Sequence, residues 1–174
     1  MRATLTLMLS LLLLGGCQRH TSLDLSLSVQ GSLAESHLLV RPVAVELLDP
    51  YGRLHRLRLR DAAQIDLSAP QARSAPLHLA LRGRVQPGHY VGLRLVFADS
   101  AWLEAANGSR QPLKVDARGP FAPLDVQLSA RGRQRLTAQI DLPASVPPRG
   151  VFHERSSFLP VLSVSTEQSS ADSR

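Results

Sequence analysis

From residue 23 onward the chain is a series of short stretches in which apolar and polar side chains alternate. Leu23, Leu25, Leu27 and Val29 interleave with Asp24, Ser26 and Ser28. A period of two sends one set toward a core and the other toward solvent, which predicts a half-buried strand over 23–29. A second apolar run covers 38–48, with Pro42 inside it, and predicts an edge strand or a bulge there. Asp49-Pro50-Tyr51-Gly52 reads as a turn, because proline presets the second position and glycine tolerates the late one. Residues 53–60 then form the return strand of a hairpin, with His55, Leu57 and Leu59 on one face and Arg56, Arg58 and Arg60 on the other.

The same pattern continues to residue 164. Short strands are expected at 64–67 and 77–82, with a proline- and serine-rich loop at 68–76 between them. The best strand is 89–97, where Val91, Leu93, Leu95 and Phe97 share a face. Residues 100–106 read as a helical turn or as a loop pinned by Trp102. Asn107-Gly108 is a tight-hairpin signal leading into 111–115. Alternation returns at 124–128 and 135–142, and a last strand spans 158–164. About eight to ten short strands separated by proline and glycine turns, with no long amphipathic helix, predict an all-β fold: a single antiparallel β-sandwich over 23–164. The polar segment 165–174 has no large apolar residue and is expected to be a disordered tail.

Ahead of residue 23 the pattern is different. Arg2 is followed by an uncharged apolar run over 3–14, then Gly15, Gly16 and Cys17, the chain's single cysteine. The run is too short for the ~20 residues of a membrane-spanning helix and fits the apolar region of a signal peptide. Small residues before a cysteine suit cleavage and thioether lipidation. Residues 1–16 are therefore expected to be a lipoprotein signal peptide, Cys17 the lipidated and palmitate-bearing residue, and 17–22 a tether. A lone cysteine gains nothing from a disulfide-forming compartment, which favours the anchoring role. Gln18 stands where an aspartate would favour inner-membrane retention, so the periplasmic face of the outer membrane is expected where two membranes exist.

Charge changes the picture only slightly. The formal net charge is +6, and Lys114 is the single lysine among the basic residues. A cationic surface is drawn to anionic headgroups or polysaccharide. Arg56, Arg58 and Arg60 are the candidate contacts to such a surface; the other reading is a solvated outer face that discourages edge-to-edge aggregation. Nucleic acid is not expected as a partner, since an exported anchored chain does not meet it and aromatics are not interleaved with the basic residues.

Residues 85–97 carry a more specific pattern. Pro87, Gly88, Tyr90, Leu93, Arg94, Leu95 and Val96 match a proline–glycine–tyrosine turn leading into an Arg-containing apolar strand. Asn107-Gly108, Leu113-Lys114-Val115, Ile140-Asp141-Leu142 with Ser145, and Leu159-Pro160-Val161 follow in order. In these features the chain resembles the family known as domain of unknown function 4382, over roughly residues 37–164. That resemblance implies a prealbumin-like or immunoglobulin-like sandwich, often in a lipoprotein, and no established activity. The aspartate-rich stretch of that family is replaced here by Ser32, Leu33, Ala34, Glu35 and Ser36, so no ligand role carries over from it. On the residues alone, Tyr90 is expected at the sheet edge with a wet hydroxyl. Arg94 is expected to pair with a carboxylate, Asp141 or Glu154, the alternative being a solvated guanidinium.

The chain carries none of the common catalytic or metal-binding sequence motifs. The six histidines lack H-E-x-x-H or H-x-H spacing, and no second cysteine exists. G-x-S-x-G and the phosphate-binding glycine motifs are absent from the chain. No cofactor and no metal are therefore expected. The leading expectation is a non-enzymatic, membrane-anchored envelope module for binding or assembly, its partners the membrane through Cys17 and an envelope protein or anionic glycan. A carbohydrate-binding module and a hydrolase with a dispersed site are the alternatives.

Overall fold

The computed structural model describes residues 20–33, 36–116, 119–130, 132–146 and 157–167. In chain order the first elements are β1 (Ser22–Gln30), β2 (Ser36–Val40), β3 (Pro42–Leu48), β4 (Leu54–Leu59) and β5 (Ile65–Asp66). A short helix α1 (Pro70–Ser74) precedes β6 (Leu77–Leu79), β7 (Leu81–Arg82), β8 (Gly88–Phe97) and β9 (Ser100–Ala105). Then come β10 (Arg110–Val115), β11 (Ala122–Leu128), β12 (Arg133–Asp141), α2 (Leu142–Ser145), β13 (Ser157–Phe158) and β14 (Val161–Glu167).

The strands form three sheets in the orders β14-β12-β1-β6, β11-β8-β3-β4-β7 and β13-β10-β9-β2-β5. Together they make an all-β sandwich around one hydrophobic core drawn from all three. The alternation of β1 sets its burial: Leu25 and Leu27 are fully buried while Ser26 and Ser28 are only half-buried. Leu136, Ala138 and Ile140 on β12 are also fully buried. Each large apolar side chain of this kind contributes ~1.5–3 kcal/mol through removal from water.

Two pairings depart from a purely antiparallel sandwich, the short one of β10 with β13, parallel at Lys114↔Ser157 and Val115↔Phe158, and the long one of β1 with β12. β1 and β12 run parallel in register from Ser22↔Arg133 to Gln30↔Asp141. Two strands so distant in sequence need no tight turn between them, so parallel pairing is open to them.

Two ribbons switch sheets. β2 and β3 are nearly continuous through Arg41, as are β8 and β9 through Ala98 and Asp99. Ala98 N–H donates to the Arg41 carbonyl at 2.8 Å where both change sheet. The register shift between Pro42 and Ala44 is the bulge that Pro42 foretold, although β3 is a central strand and not an edge. Residues 77–82 likewise divide at Ala80, with β6 pairing β1 and β7 pairing β4.

Several expectations need correction. Residues 100–105 form strand β9, with Ala101 and Leu103 inward, and neither a helical turn nor a loop. The loop at 68–76 contains α1, which starts at Pro70 and buries Ala72. Residues 165–167, expected in the tail, belong to β14, where Ser165 pairs Thr137 and Thr166 pairs Leu136.

The topology gathers several segments at one end of the sandwich. β1 and β12 start there, β8 starts there, and β3 and β11 finish there. The chain enters this end through Thr21, which is buried and held twice. Its N–H donates to the Val85 carbonyl at 3.0 Å, and its hydroxyl to the Ser129 carbonyl at 2.5 Å.

Candidate functional site

The outer face of β11-β8-β3-β4-β7 carries the arginines singled out in the sequence. On β4 the alternation buries Leu57 and Leu59 and exposes Arg56 and Arg58, and Arg60 just beyond the strand is exposed too. The three do not have the same surroundings.

Arg56 belongs to a neutralised row. Register places it beside Glu46, and Glu46 beside Arg94. Arg56 Nη1 lies 3.4 Å from Glu46 Oε1. Arg94 donates from Nε to Glu46 Oε2 at 3.0 Å, with Nη2 on the same oxygen. Its Nη1 reaches the Gly119 carbonyl at 3.3 Å, and its guanidinium lies over the Phe121 ring, 4.4 Å from the centroid. Glu46 is buried, 7 % exposed. Arg94 thus has the structural carboxylate partner expected of it, but the partner is Glu46. Asp141 instead caps α2, accepting from Ala144 N–H at 3.1 Å. Glu154 lies outside the described residues.

Arg58 belongs to a different row. It stands directly opposite Arg82 on β7, with Ala44 on its other side. Like charges facing one another across strands destabilise a sheet. Among the described residues the side chains of Arg58 and Arg82 have no hydrogen bond or ion pair, and the same holds for the side chain of Arg60, whose backbone N–H donates to the Ala80 carbonyl at 2.7 Å. Near this face a groove of about 550 Å³ is lined by Arg41, Arg56, Glu46, Asp99, Val43 and Val96, among others. The guanidiniums of this flank can hold an anion through charge and paired N–H donors.

The second cavity, about 410 Å³, lies at the end where Thr21 enters, between the 49–53 turn and residues 86–90. Its parts are mostly structural. Gly52 adopts φ of 79° and closes the turn by donating to the Asp49 carbonyl at 3.0 Å. Asp49 Oδ1 accepts from the Tyr51 and Arg53 N–H groups, each at 2.9 Å, and Oδ2 from Arg53 Nε at 2.7 Å. Burial pushes the Asp49 carboxyl up, but these hydrogen bonds and the Arg53 charge outweigh it and hold its pKa below the ordinary value.

Tyr90 is also structural and does not have the wet hydroxyl expected of it. It is 2 % exposed, and its hydroxyl donates to the Gln86 carbonyl at 3.0 Å across Pro87-Gly88. This is the tyrosine corner of Greek-key sandwiches, in which the phenol ties a strand start to the loop before it. Burial raises the Tyr90 pKa, with Asp49 adding to the rise. His55 packs edge-on against the ring at 5.2 Å. His55 Nε2 is 3.6 Å from Asp49 Oδ2, too far for a hydrogen bond. The lining residues include no serine, threonine or cysteine, so this acid–histidine pair faces no aliphatic hydroxyl or thiol nucleophile.

The cavity also has His89 on its wall, paired with Asp125 at 2.7 Å, and a third histidine–carboxylate pair, His37 with Asp66 at 2.7 Å, lies away from it. No three such residues come together as a metal site among the described residues. No helix among them is long and apolar enough to cross a membrane. Cys17 and the 1–16 segment lie outside the described residues. Sequence reasoning missed Arg82 and Glu46, because their roles depend on strand register across long separations. No family model, curated protein or solved structure matches the chain.

Proposed function

We propose that this chain is a lipid-anchored, non-enzymatic module of the bacterial envelope, tethered through Cys17, that binds an anionic glycan on its arginine flank. The observation that carries the reading is the Arg58–Arg82 pair, two arginines in register on neighbouring strands with no carboxylate paired to either. A sheet accepts such a pair at a cost in stability, and a bound anion offsets that cost. Arg58 and Arg60 lie two residues apart, ~6–7 Å along the chain, a spacing suited to repeating acidic groups. The likeness of residues 85–97 to the lipoprotein-associated family named above points to the same compartment.

The reading has two separable tests. Metabolic labelling with palmitate should mark the wild-type chain and leave Cys17→Ser unlabelled and released from membranes. Immobilised polygalacturonate should retain the protein and neutral dextran should not, with retention falling as salt rises. Arg58→Glu with Arg82→Glu should abolish retention without unfolding the domain. Equal retention of that double variant would remove the glycan reading and leave the anchor untouched.

A further inference from the structure

The β3–β4 hairpin tip carries two large apolar side chains that the fold does not use. Tyr51 is 82 % exposed and Leu54 53 %, the two highest values among the described large hydrophobic residues. Nothing in the turn demands them. Asp49, Pro50 and Gly52 build it, and position 51 contributes a backbone N–H to Asp49 and a ring under the Arg53 guanidinium. Leu54 faces outward opposite Leu48, and Phe121 lies against the same spot, where a side chain at Gly92 would meet both Phe121 and Leu48. The tip therefore ends in an apolar rim. Directly above it sit cations: Arg53, whose guanidinium is 5.2 Å from the Tyr51 ring centroid, then Arg56 two residues up β4. Arg84 is also exposed, in the loop that leads from Arg82 to Val85.

The position of this rim gives it meaning. The cavity that joins the 49–53 turn to residues 86–90 places the tip at the end where Thr21 pairs with Val85. Thr21 is fixed by two hydrogen bonds, and only four Cα-to-Cα steps, through Gln18, Arg19 and His20, separate it from Cys17. Four extended steps reach ~13–14 Å. A lipid on Cys17 would bring this end of the sandwich, and with it the hairpin tip, to the bilayer surface.

We infer that the hairpin tip is a second membrane contact, in which Tyr51 and Leu54 enter the interface of an anionic bilayer while Arg84 meets its headgroups, Arg53 and Arg56 being held by Asp49 and Glu46. The inference rests on the anchor reading of Cys17 for its geometry. Amphipathic tyrosine is suited to the interfacial zone, and arginine stems reach from apolar depth to charged headgroups. Such a contact stands the sandwich upright. Residues 54 to 60 then climb ~20 Å along β4, away from the lipid. Arg58 and Arg82 are thereby held off the membrane, on the flank, free for the glycan. The competing arrangement lays the arginine flank flat on the headgroups.

Site-directed spin labelling separates the two. In the lipidated protein the Cys17 sulfur is consumed by the thioether, so one introduced cysteine is the single free thiol. Tyr51→Cys, Arg58→Cys and Ser109→Cys would each be labelled in full-length lipoprotein reconstituted into phosphatidylethanolamine–phosphatidylglycerol vesicles. The label at 51 is expected to collide with oxygen, which concentrates in lipid, and to be shielded from a water-soluble nickel complex. The labels at 58 and 109 are expected to show the reverse. A label at 51 as open to the nickel complex as the one at 109 overturns the inference, and so does shielding at 58 in place of 51. The same three labels on a Cys17→Ser chain, starting at residue 17 and held by an N-terminal polyhistidine tag on nickel-chelating vesicles, read the tip without any lipid on the protein. Shielding at 51 there supports the inference even if palmitate labelling fails, and its absence counts against the tip alone. Tyr51→Ser with Leu54→Ser, free of tag and lipid, should weaken partition into the same vesicles about tenfold or more.

Discussion

Two neighbouring rows on one sheet face carry the same residue type and have opposite characters. In one, Arg56 and Arg94 flank a buried Glu46, and the charges, a backbone carbonyl and an aromatic ring satisfy one another. In the other, two residues along β4, Arg58 meets Arg82 with only Ala44 beside it. The first row is built to specify the register of β8, β3 and β4. The second contributes nothing to the fold that a neutral pair would not contribute better. An arginine locked to a buried carboxylate is therefore evidence about structure, and an arginine held against another arginine is evidence about a partner.

The comparison is broken most forcefully at Glu46. Glu46→Ala leaves Arg94, whose side chain is only 16 % exposed, without its counter-charge. Removing one member of such a pair costs ~3–5 kcal/mol, read as a lower urea midpoint at unchanged slope. Replacing both members, Glu46→Leu with Arg94→Met, should cost less than Glu46→Ala alone, because no buried charge is then orphaned. If Glu46→Ala loses no more stability than a substitution in the Arg58–Arg82 row, the two rows do not differ as described.

A smaller effect is expected at the hairpin end. Tyr90→Phe keeps the buried ring and removes the bond to the Gln86 carbonyl, for a loss of ~1 kcal/mol. Its pH signature is specific. The folded-state pKa of Tyr90 lies above its ordinary value of 10.0, so its contribution is complete below that value and is lost as pH rises through the folded pKa. Tyr90→Phe should lack that alkaline loss. Asp49 behaves in the opposite sense. Its folded pKa lies below 3.8, so its contribution is present above that value and is lost as pH falls through the folded pKa. Asp49→Asn should therefore unfold less steeply with acid than the wild type in urea titrations between neutral pH and pH values below 3.8.

The sequence shows the difference between the two rows only in part. Period-two alternation identified β1, β4 and β11, because each buries one face and a strand's burial follows its own residues. The turns at Asp49–Gly52 and Asn107-Gly108 were equally readable, since their φ requirements are local. What stayed hidden was register. Arg94 lies 48 residues from Glu46, and nothing in either neighbourhood names the other. Arg82 sits in a two-residue strand too short to carry a period, so its pairing with Arg58 emerges only from three dimensions. β9 was misread because its inward set is just Ala101 and Leu103, and Trp102 draws attention to the other face.

The smallest change in stability is also the most discriminating. Arg82→Glu replaces a like-charge pair by an opposite-charge pair at the edge of the sheet. Both side chains are exposed, so water screens the gain, and thermal unfolding should show ~0.2–1 kcal/mol of added stability. The gain should shrink in high salt, because it is Coulombic and near the surface. The same substitution should reduce retention on polygalacturonate, since it supplies Arg58 with an internal counter-charge that competes with the glycan. A residue that serves the fold loses stability when reversed. Arg82 should gain stability and lose a ligand, and a drop in stability on Arg82→Glu would return it to the class of Arg94.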